Sequence, residues 1–186
     1  MKVIFLDRDG VINRYPGDKE YVKSWKEFQF LPGVRPALKK LCLAGFKLYI
    51  VSNQAGVGKK IYTRAALDEI TRKMLRDLME YGVEIAGVGY CTHRPEEECL
   101  CRKPKAGLID AVVEKLRRAG KRIDLKKSFF IGDTIRDIQA GKEARLKTIL
   151  VFSGKEKQKN KSSWRVVPDL TAQDLAAAAD YVCKNT

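Results

Sequence analysis

No run of apolar residues in this chain approaches the roughly 20 needed to cross a bilayer, so no membrane span is expected. Neither an internal repeat nor a low-complexity domain interrupts it. The sequence enters an apolar run at once, so no targeting leader is expected, and the unpaired thiols fit the cytoplasm. An arginine-rich stripe with interleaved aromatics is also missing. That matters because Lys and Arg outnumber Asp and Glu 37 to 23, giving a net charge of +14. Such a balance is the usual electrostatic footprint of a nucleic-acid binder. Here the basic residues are dispersed among Glu and Asp along the helical segments, so solubility and small polyanionic substrates explain the charge better. At 186 residues there is room for one α/β domain with a sizeable core, spanning 1–186, and for no second one.

Strand-like runs near 2–6, 47–51, 87–90, 128–131 and 147–151 alternate with helical patterns near 34–44, 63–80, 106–119, 136–144 and 171–183. This alternation predicts a doubly wound parallel sheet with its functional loops along one edge. A lysine-dense stretch, 154–163, reads as either a mobile flap or a solvated loop.

Four segments at the ends of these runs carry chemistry. Asp7-Arg8-Asp9-Gly10 follows the run Val3-Ile4-Phe5-Leu6. Two carboxylates this close repel unless a cation or a reacting centre needs both. One can attack phosphorus and the other can hand a proton to the leaving oxygen, although Asp and Gly also make ordinary turns. Ser52-Asn53-Gln54, just past a second run, offers a hydroxyl and backbone N–H groups to phosphate oxygens, or is a plain polar loop. Arg102-Lys103-Pro104 precedes a helix and supplies a cation to offset clustered negative charge; it also reads as part of a solvated basic face. Gly132-Asp133-Thr134-Ile135-Arg136-Asp137 adds a carboxylate at a further strand end, completing an all-oxygen pocket suited to Mg2+. Asp137, four residues on, could bind metal or anchor Lys103.

A different chemistry sits in Cys91-x-His93-x5-Cys99-x-Cys101, which gathers the one histidine and three of the five cysteines. Three thiolates and an imidazole make a closed tetrahedral Zn2+ site, structural because no position is left for water. Cys99 and Cys101 are too close for an easy mutual disulfide, and incidental reduced thiols are the weaker explanation. Cys101 abuts Arg102 and Lys103, so zinc would position the lysine from outside the chemistry. Cys42 and Cys183 fall on helical apolar faces and read as packing.

Taken in order, these motifs resemble the haloacid dehalogenase-like phosphohydrolases from residue 2 to about residue 151. DRDGVIN, SNQAGVG, CRKPKAG and GDTIRD resemble the subgroup of heptose bisphosphate and histidinol-phosphate phosphatases, which also carries the short zinc loop. The resemblance implies that Asp7 is the nucleophile and Asp9 the general acid/base. It further implies Mg2+ on Asp7, the Asp9 backbone carbonyl and Asp133. Ser52 and Lys103 would then serve the phosphate, and Asn53 and Arg102 would touch substrate. Thr134 departs from the basic residue often found there. The intervals that hold cap domains in this family contain only a hairpin-like segment around 15–30 and the helix, strand and zinc loop of 63–101. An open mouth rimmed by Arg14, Tyr15 and the zinc loop follows.

The expectation is a capless Mg2+-dependent phosphomonoester hydrolase, acting as a cytoplasmic monomer on a small phosphorylated metabolite. D-glycero-D-manno-heptose 1,7-bisphosphate is the leading substrate and histidinol phosphate the alternative. A DNA 3′-phosphatase, or a zinc-containing nucleic-acid-binding module whose carboxylates are mere turn residues, is a further one.

Overall fold

A computed structural model describes residues 1–185. Its six strands are β1 (Val3–Leu6), β2 (Lys47–Asn53), β3 (Ile85–Cys91), β4 (Phe129–Gly132), β5 (Lys147–Val151) and β6 (Leu170–Ala172). They form one parallel sheet in the order β3-β2-β1-β4-β5-β6. Five helices accompany it: α1 (Val34–Leu43), α2 (Arg64–Glu80), α3 (Gly107–Arg118), α4 (Ile135–Glu143) and α5 (Leu175–Lys184).

Continuous apolar runs make the central strands because both faces of a parallel sheet are covered. Along β1 the side chains alternate. Ile4 and Leu6 join one core with Leu38, Ile70, Met74 and Val182, from α1, α2 and α5. Val3 and Phe5 join the other with Ile109, Leu116 and Ala140, from α3 and α4. The chain winds outward through β2 and β3, then returns to β4 on the other side of β1. The order therefore reverses at β1, where a crevice opens beyond the carboxyl ends of β1, β2 and β4. Asp7 is tied to that point by its N–H, which donates to the Ile131 carbonyl at 3.0 Å.

The structure departs from the sequence expectation in several places. β2 runs through Ser52 and Asn53, so these residues belong to the strand rather than the loop after it. The segment around 15–30 is irregular, with one bridge between Asn13 and Phe30 and no hairpin ladder. α3 begins three residues beyond Pro104, at Gly107. The helical pattern at 171–183 divides: Leu170–Ala172 adds a sixth strand, and α5 starts only after Asp174, whose carboxylate accepts the Ala177 N–H at 2.9 Å. The lysine-dense segment contains a short, exposed 3-10 helix, Gln158–Ser163. No helix among the described residues is long and apolar enough to cross a membrane.

Candidate active site and metal centre

Three buried carboxylates meet at the reversal point. Asp7 follows β1, Asp133 follows β4, and Asp137 sits in the first turn of α4; oxygens from all three lie within 4.8 Å of one another. Asp137 also caps its own helix, since its Oδ2 accepts the Thr134 N–H at 2.9 Å and the Thr134 hydroxyl at 2.7 Å. One cation enters the group. Lys103 Nζ lies 3.0 Å from Asp7 Oδ2 and 2.6 Å from Asp137 Oδ1, and donates to the Val51 carbonyl at 3.0 Å. The contact with Lys103 expected of Asp137 is thus present, and the same side chain caps α4.

Three negative charges against one positive leave the cluster short of countercharge. Burial, with Asp137 and Asp9 adding to it, holds the Asp7 carboxyl up to about 6 against the pull of Lys103 and the Ser52 hydroxyl. Asp133 is raised well above the usual carboxylate range by burial and by Asp137 and Asp7. Burial alone would lower Lys103; Asp137 and Asp7 outweigh it and push its ammonium up to about 12. Asp133 Oδ2 also accepts the Lys155 N–H at 2.7 Å. Two chain segments press on this carboxylate: a Cβ placed on Gly10 would come within 2.2 Å of Asp133 Oδ2, and one on Gly154 within 2.0 Å.

Asp9 faces a different set of partners. Its Oδ1 accepts from Arg8 Nη2 at 2.9 Å and Asn13 Nδ2 at 2.8 Å, and its Oδ2 from Gln54 Nε2 at 2.7 Å. Ser52 is buried at the end of β2, within 3.3 Å of the same Gln54 amide. Asn53 clamps the lysine loop: its Nδ2 donates to the Lys103 carbonyl at 3.0 Å, and its Oδ1 accepts the Lys103 N–H at 3.1 Å. Asn53 thus holds the Lys103 backbone through both amide atoms and also lines the cavity over the site.

A cavity of about 340 Å³ opens over these groups, lined around its mouth by Tyr15, Tyr21, Arg102, Arg136 and Lys155. Arg14, expected on this rim, instead lines a second depression with Lys23 and Lys26. Asp18 accepts from the Tyr15 hydroxyl at 2.6 Å and from Lys155 Nζ at 2.5 Å, linking the 15–21 loop to the lysine-dense segment.

The second cluster lies beside the first. Cys91 ends β3 and is buried, while His93, Cys99 and Cys101 lie in the loop that follows. Sγ atoms of Cys91 and Cys99, and of Cys99 and Cys101, are 3.5 Å apart; His93 Nδ1 is 3.7 Å from Cys91 Sγ and 3.2 Å from Cys101 Sγ. A tetrahedral zinc with ordinary Zn–S bonds spaces its sulfurs by about 3.8 Å, so these four atoms sit close to the required edges. The thiols split in acidity. Burial raises Cys91, burial and the two neighbouring thiols push Cys101 up to about 12, and Cys99 settles at about 7 because hydrogen bonds from Cys101 and Cys91 outweigh its burial. The two clusters are physically joined, since Cys91 pairs in register with Asn53, the residue that clamps Lys103.

Four participants escaped the sequence reading: Arg8, Asn13, Gln54 and Tyr62, whose hydroxyl donates to Gln54 Oε1 at 2.6 Å. Arg8, Asn13 and Gln54 lie inside or beside motifs already singled out, yet only loop closure shows that they converge on Asp9.

The family model for polynucleotide kinase 3 phosphatase matches residues 2–147. The chain belongs to these haloacid dehalogenase-like phosphatases. It is a phosphoric monoester hydrolase of that family. A curated relative from Helicobacter pylori strain J99, named D-glycero-beta-D-manno-heptose-1,7-bisphosphate 7-phosphatase, is 37% identical over 153 residues, covering 82% of this chain and 83% of its own. One from Pseudomonas putida with the same name is 35% identical over 181 residues, covering 96% and 98%. The crystal structure of D,D-heptose 1,7-bisphosphate phosphatase from B. bronchiseptica, complexed with magnesium and phosphate, superposes with a TM-score of 0.87 at 32% identity. That match covers 100% of both chains.

Proposed function

We propose that this phosphatase removes the 7-phosphate from D-glycero-β-D-manno-heptose 1,7-bisphosphate, working as a cytoplasmic monomer through one domain over 1–186. The observation that carries the chemistry is the buried Asp7 carboxylate, held 3.0 Å from Lys103 Nζ beneath an open cavity. Asp7 attacks phosphorus in line, and the P–O bond to the sugar breaks as Asp9 gives its proton to the departing oxygen. Asp9 then takes a proton from water, which attacks the aspartyl-phosphate, frees inorganic phosphate and restores Asp7. Ser52 offers its hydroxyl to the non-bridging oxygens, and Lys103, whose N–H groups point to Asp7, Asp137 and the Val51 carbonyl, offsets their charge from beside the nucleophile.

The acidic cluster fits Mg2+. Its donors are all oxygen, its net charge is negative, and burial together with the neighbouring carboxylates raises the proton affinity of Asp7 and Asp133, a cost that a divalent cation would offset. Asp7, Asp133 and the backbone carbonyl of Asp9 would hold the ion, which supplies charge to neutralise the phosphoryl oxygens. Cys91, His93, Cys99 and Cys101 fit Zn2+ by donor type and spacing, in a structural role that steadies Arg102 and Lys103. The names of the relatives support a heptose bisphosphate over histidinol phosphate. The name of the matching family model favours a second reading, a 3′-phosphorylated polynucleotide.

Phosphate release with Mg2+ across the heptose bisphosphate, histidinol phosphate and a 3′-phosphorylated oligonucleotide separates these. The bisphosphate should have the highest kcat/KM. A higher value for either competitor would replace the substrate assignment.

A further inference from the structure

Arg8 is the largest fully buried side chain among the described residues, and the acid/base chemistry assigned so far makes no use of it. A guanidinium is not buried without a partner that repays its lost hydration. Here the partner is Asp9. Arg8 Nε and Nη2 lie 3.3 and 2.9 Å from Asp9 Oδ1, and Nη2 lies 3.1 Å from Oδ2, a forked grip that a lysine could not reproduce. The fork is itself supported, with the guanidinium carbon 5.8 Å from the centre of the Tyr90 ring and the Tyr90 hydroxyl receiving Thr71 Oγ1 at 3.1 Å. Gln54 completes the cage on the other carboxylate oxygen, and its amide is fixed by the Tyr62 hydroxyl. Asp9 and Gln54 line the cavity, whereas Arg8 does not. The Asp9 side chain keeps 20% of its surface exposed while that of Arg8 keeps none.

We propose that Arg8 is a positioning residue: from behind the cavity wall, and with Tyr62 acting through Gln54, it fixes the direction in which the Asp9 carboxylate meets the substrate. This rests on the reading of Asp9 as the acid and base of the reaction. A carboxylate in a loop after a strand can turn about its own side-chain bonds, and proton transfer needs it within hydrogen-bond reach of the leaving oxygen. Three donor groups from Arg8, Asn13 and Gln54 remove that freedom before substrate arrives, so the orientation costs nothing during the reaction.

The test uses the Mg2+-loaded enzyme in single turnover and compares an alkyl phosphate, whose alkoxide needs a proton, with 4-nitrophenyl phosphate, whose phenolate does not. Arg8→Met should slow alcohol release by about 100-fold while nitrophenolate release stays within about 5-fold of the parent. In an Asp9→Asn background the same substitution should add less than about 3-fold, because the group that Arg8 directs has lost its function. Equal slowing of both substrates, or an undiminished effect in the Asp9→Asn background, would make Arg8 a structural ion pair and overturn the proposal. Should Arg8→Met fail to fold, Tyr62→Phe decides instead. It should slow alcohol release by about 3- to 10-fold and spare nitrophenolate, and an equal loss on both refutes the cage. Undiminished alcohol release by Asp9→Asn alone would remove Asp9 from the chemistry, a different failure read from a different variant.

Discussion

The acidic cluster and the cysteine loop are neighbours that hold together for opposite reasons. Asp7 and Asp133 extend directly from central strands, and Lys103 reaches between Asp7 and Asp137 from a buried position. The sheet places them whether or not an ion is present. Only Cys91 of the other group belongs to a strand; His93 is exposed, Cys99 and Cys101 are half-buried, and the residues between them bury no apolar side chain. That loop has no apolar core of its own, so on the proposed reading a bound ion would set its shape. Metal would then be chemistry in the first cluster and architecture in the second.

The sharpest way to break this comparison is to remove the nucleophile. Asp7→Asn should lower kcat by roughly three orders of magnitude or more and leave the thermal unfolding midpoint and zinc content near those of the parent. Turnover within a few fold of the parent would sink the assignment. Removing the cation from the same cluster should behave differently, because Lys103→Met leaves three buried carboxylates without the ammonium that faces them. It should cost about 3–5 kcal/mol in urea unfolding as well as activity. A variant as stable as the parent would show that the sheet alone tolerates the uncompensated charge.

The cysteine loop is tested by metal analysis and chelation. The purified protein should carry one zinc per chain, and its removal should lower the unfolding midpoint by roughly 5–10 °C, with a partial loss of activity through displaced Lys103. Protein without zinc, or Cys99→Ala with full activity, would refute the role.

Proton linkage sharpens the contrast further. The folded Asp7 carboxyl titrates at about 6 against 3.8 ordinarily, and Asp133 is raised as well. The folded metal-free protein therefore binds protons that the unfolded chain has released. Its stability should be fullest below about pH 4 as far as these groups contribute, and should fall as pH rises through about 6. A Mg2+ ion held by Asp7 and Asp133 would replace those protons, so its affinity should climb across the same window. Calorimetric titrations at pH 5, 6 and 7 check this, and a flat affinity would contradict it. The smallest effect expected is on selectivity. Arg102→Ala should reduce kcat/KM for the bisphosphate about 10-fold more than for a simple phosphomonoester, because a guanidinium can grip a second phosphate. Equal losses would place Arg102 in the general chemistry.

Much of this arrangement is legible in the chain because its signals are local. Three of the four phosphate-site motifs directly follow or end a strand, so locating the runs at 3–6 and 129–132 brings Asp7 and Asp133 to one edge, and ligand spacing alone gathers Cys91, His93, Cys99 and Cys101. What stayed hidden depends on closure over distance. A three-residue strand such as Leu170–Ala172 has too few positions to show a period. Arg8 carries no signal of its own in the sequence, and only the folded loop buries it. Arg14 lines only the second depression, whereas Tyr15 beside it lines both, since an irregular loop has no register to fix which way its side chains turn.

The close approach of Gly10 and Gly154 to Asp133 carries a consequence for how this sequence can drift. The two positions are far apart in the chain, yet each would drive a side-chain carbon to within 2.2 Å of the same carboxylate oxygen. Gly10 further requires a backbone angle of +82° that other residues rarely adopt. In a saturation library selected for turnover, both should tolerate almost no replacement, alanine included, although neither contributes an atom to the chemistry. Gly45 and Gly120, with nothing near their own Cβ positions, should accept asparagine. The map of intolerance would then trace the outline of a single oxygen atom.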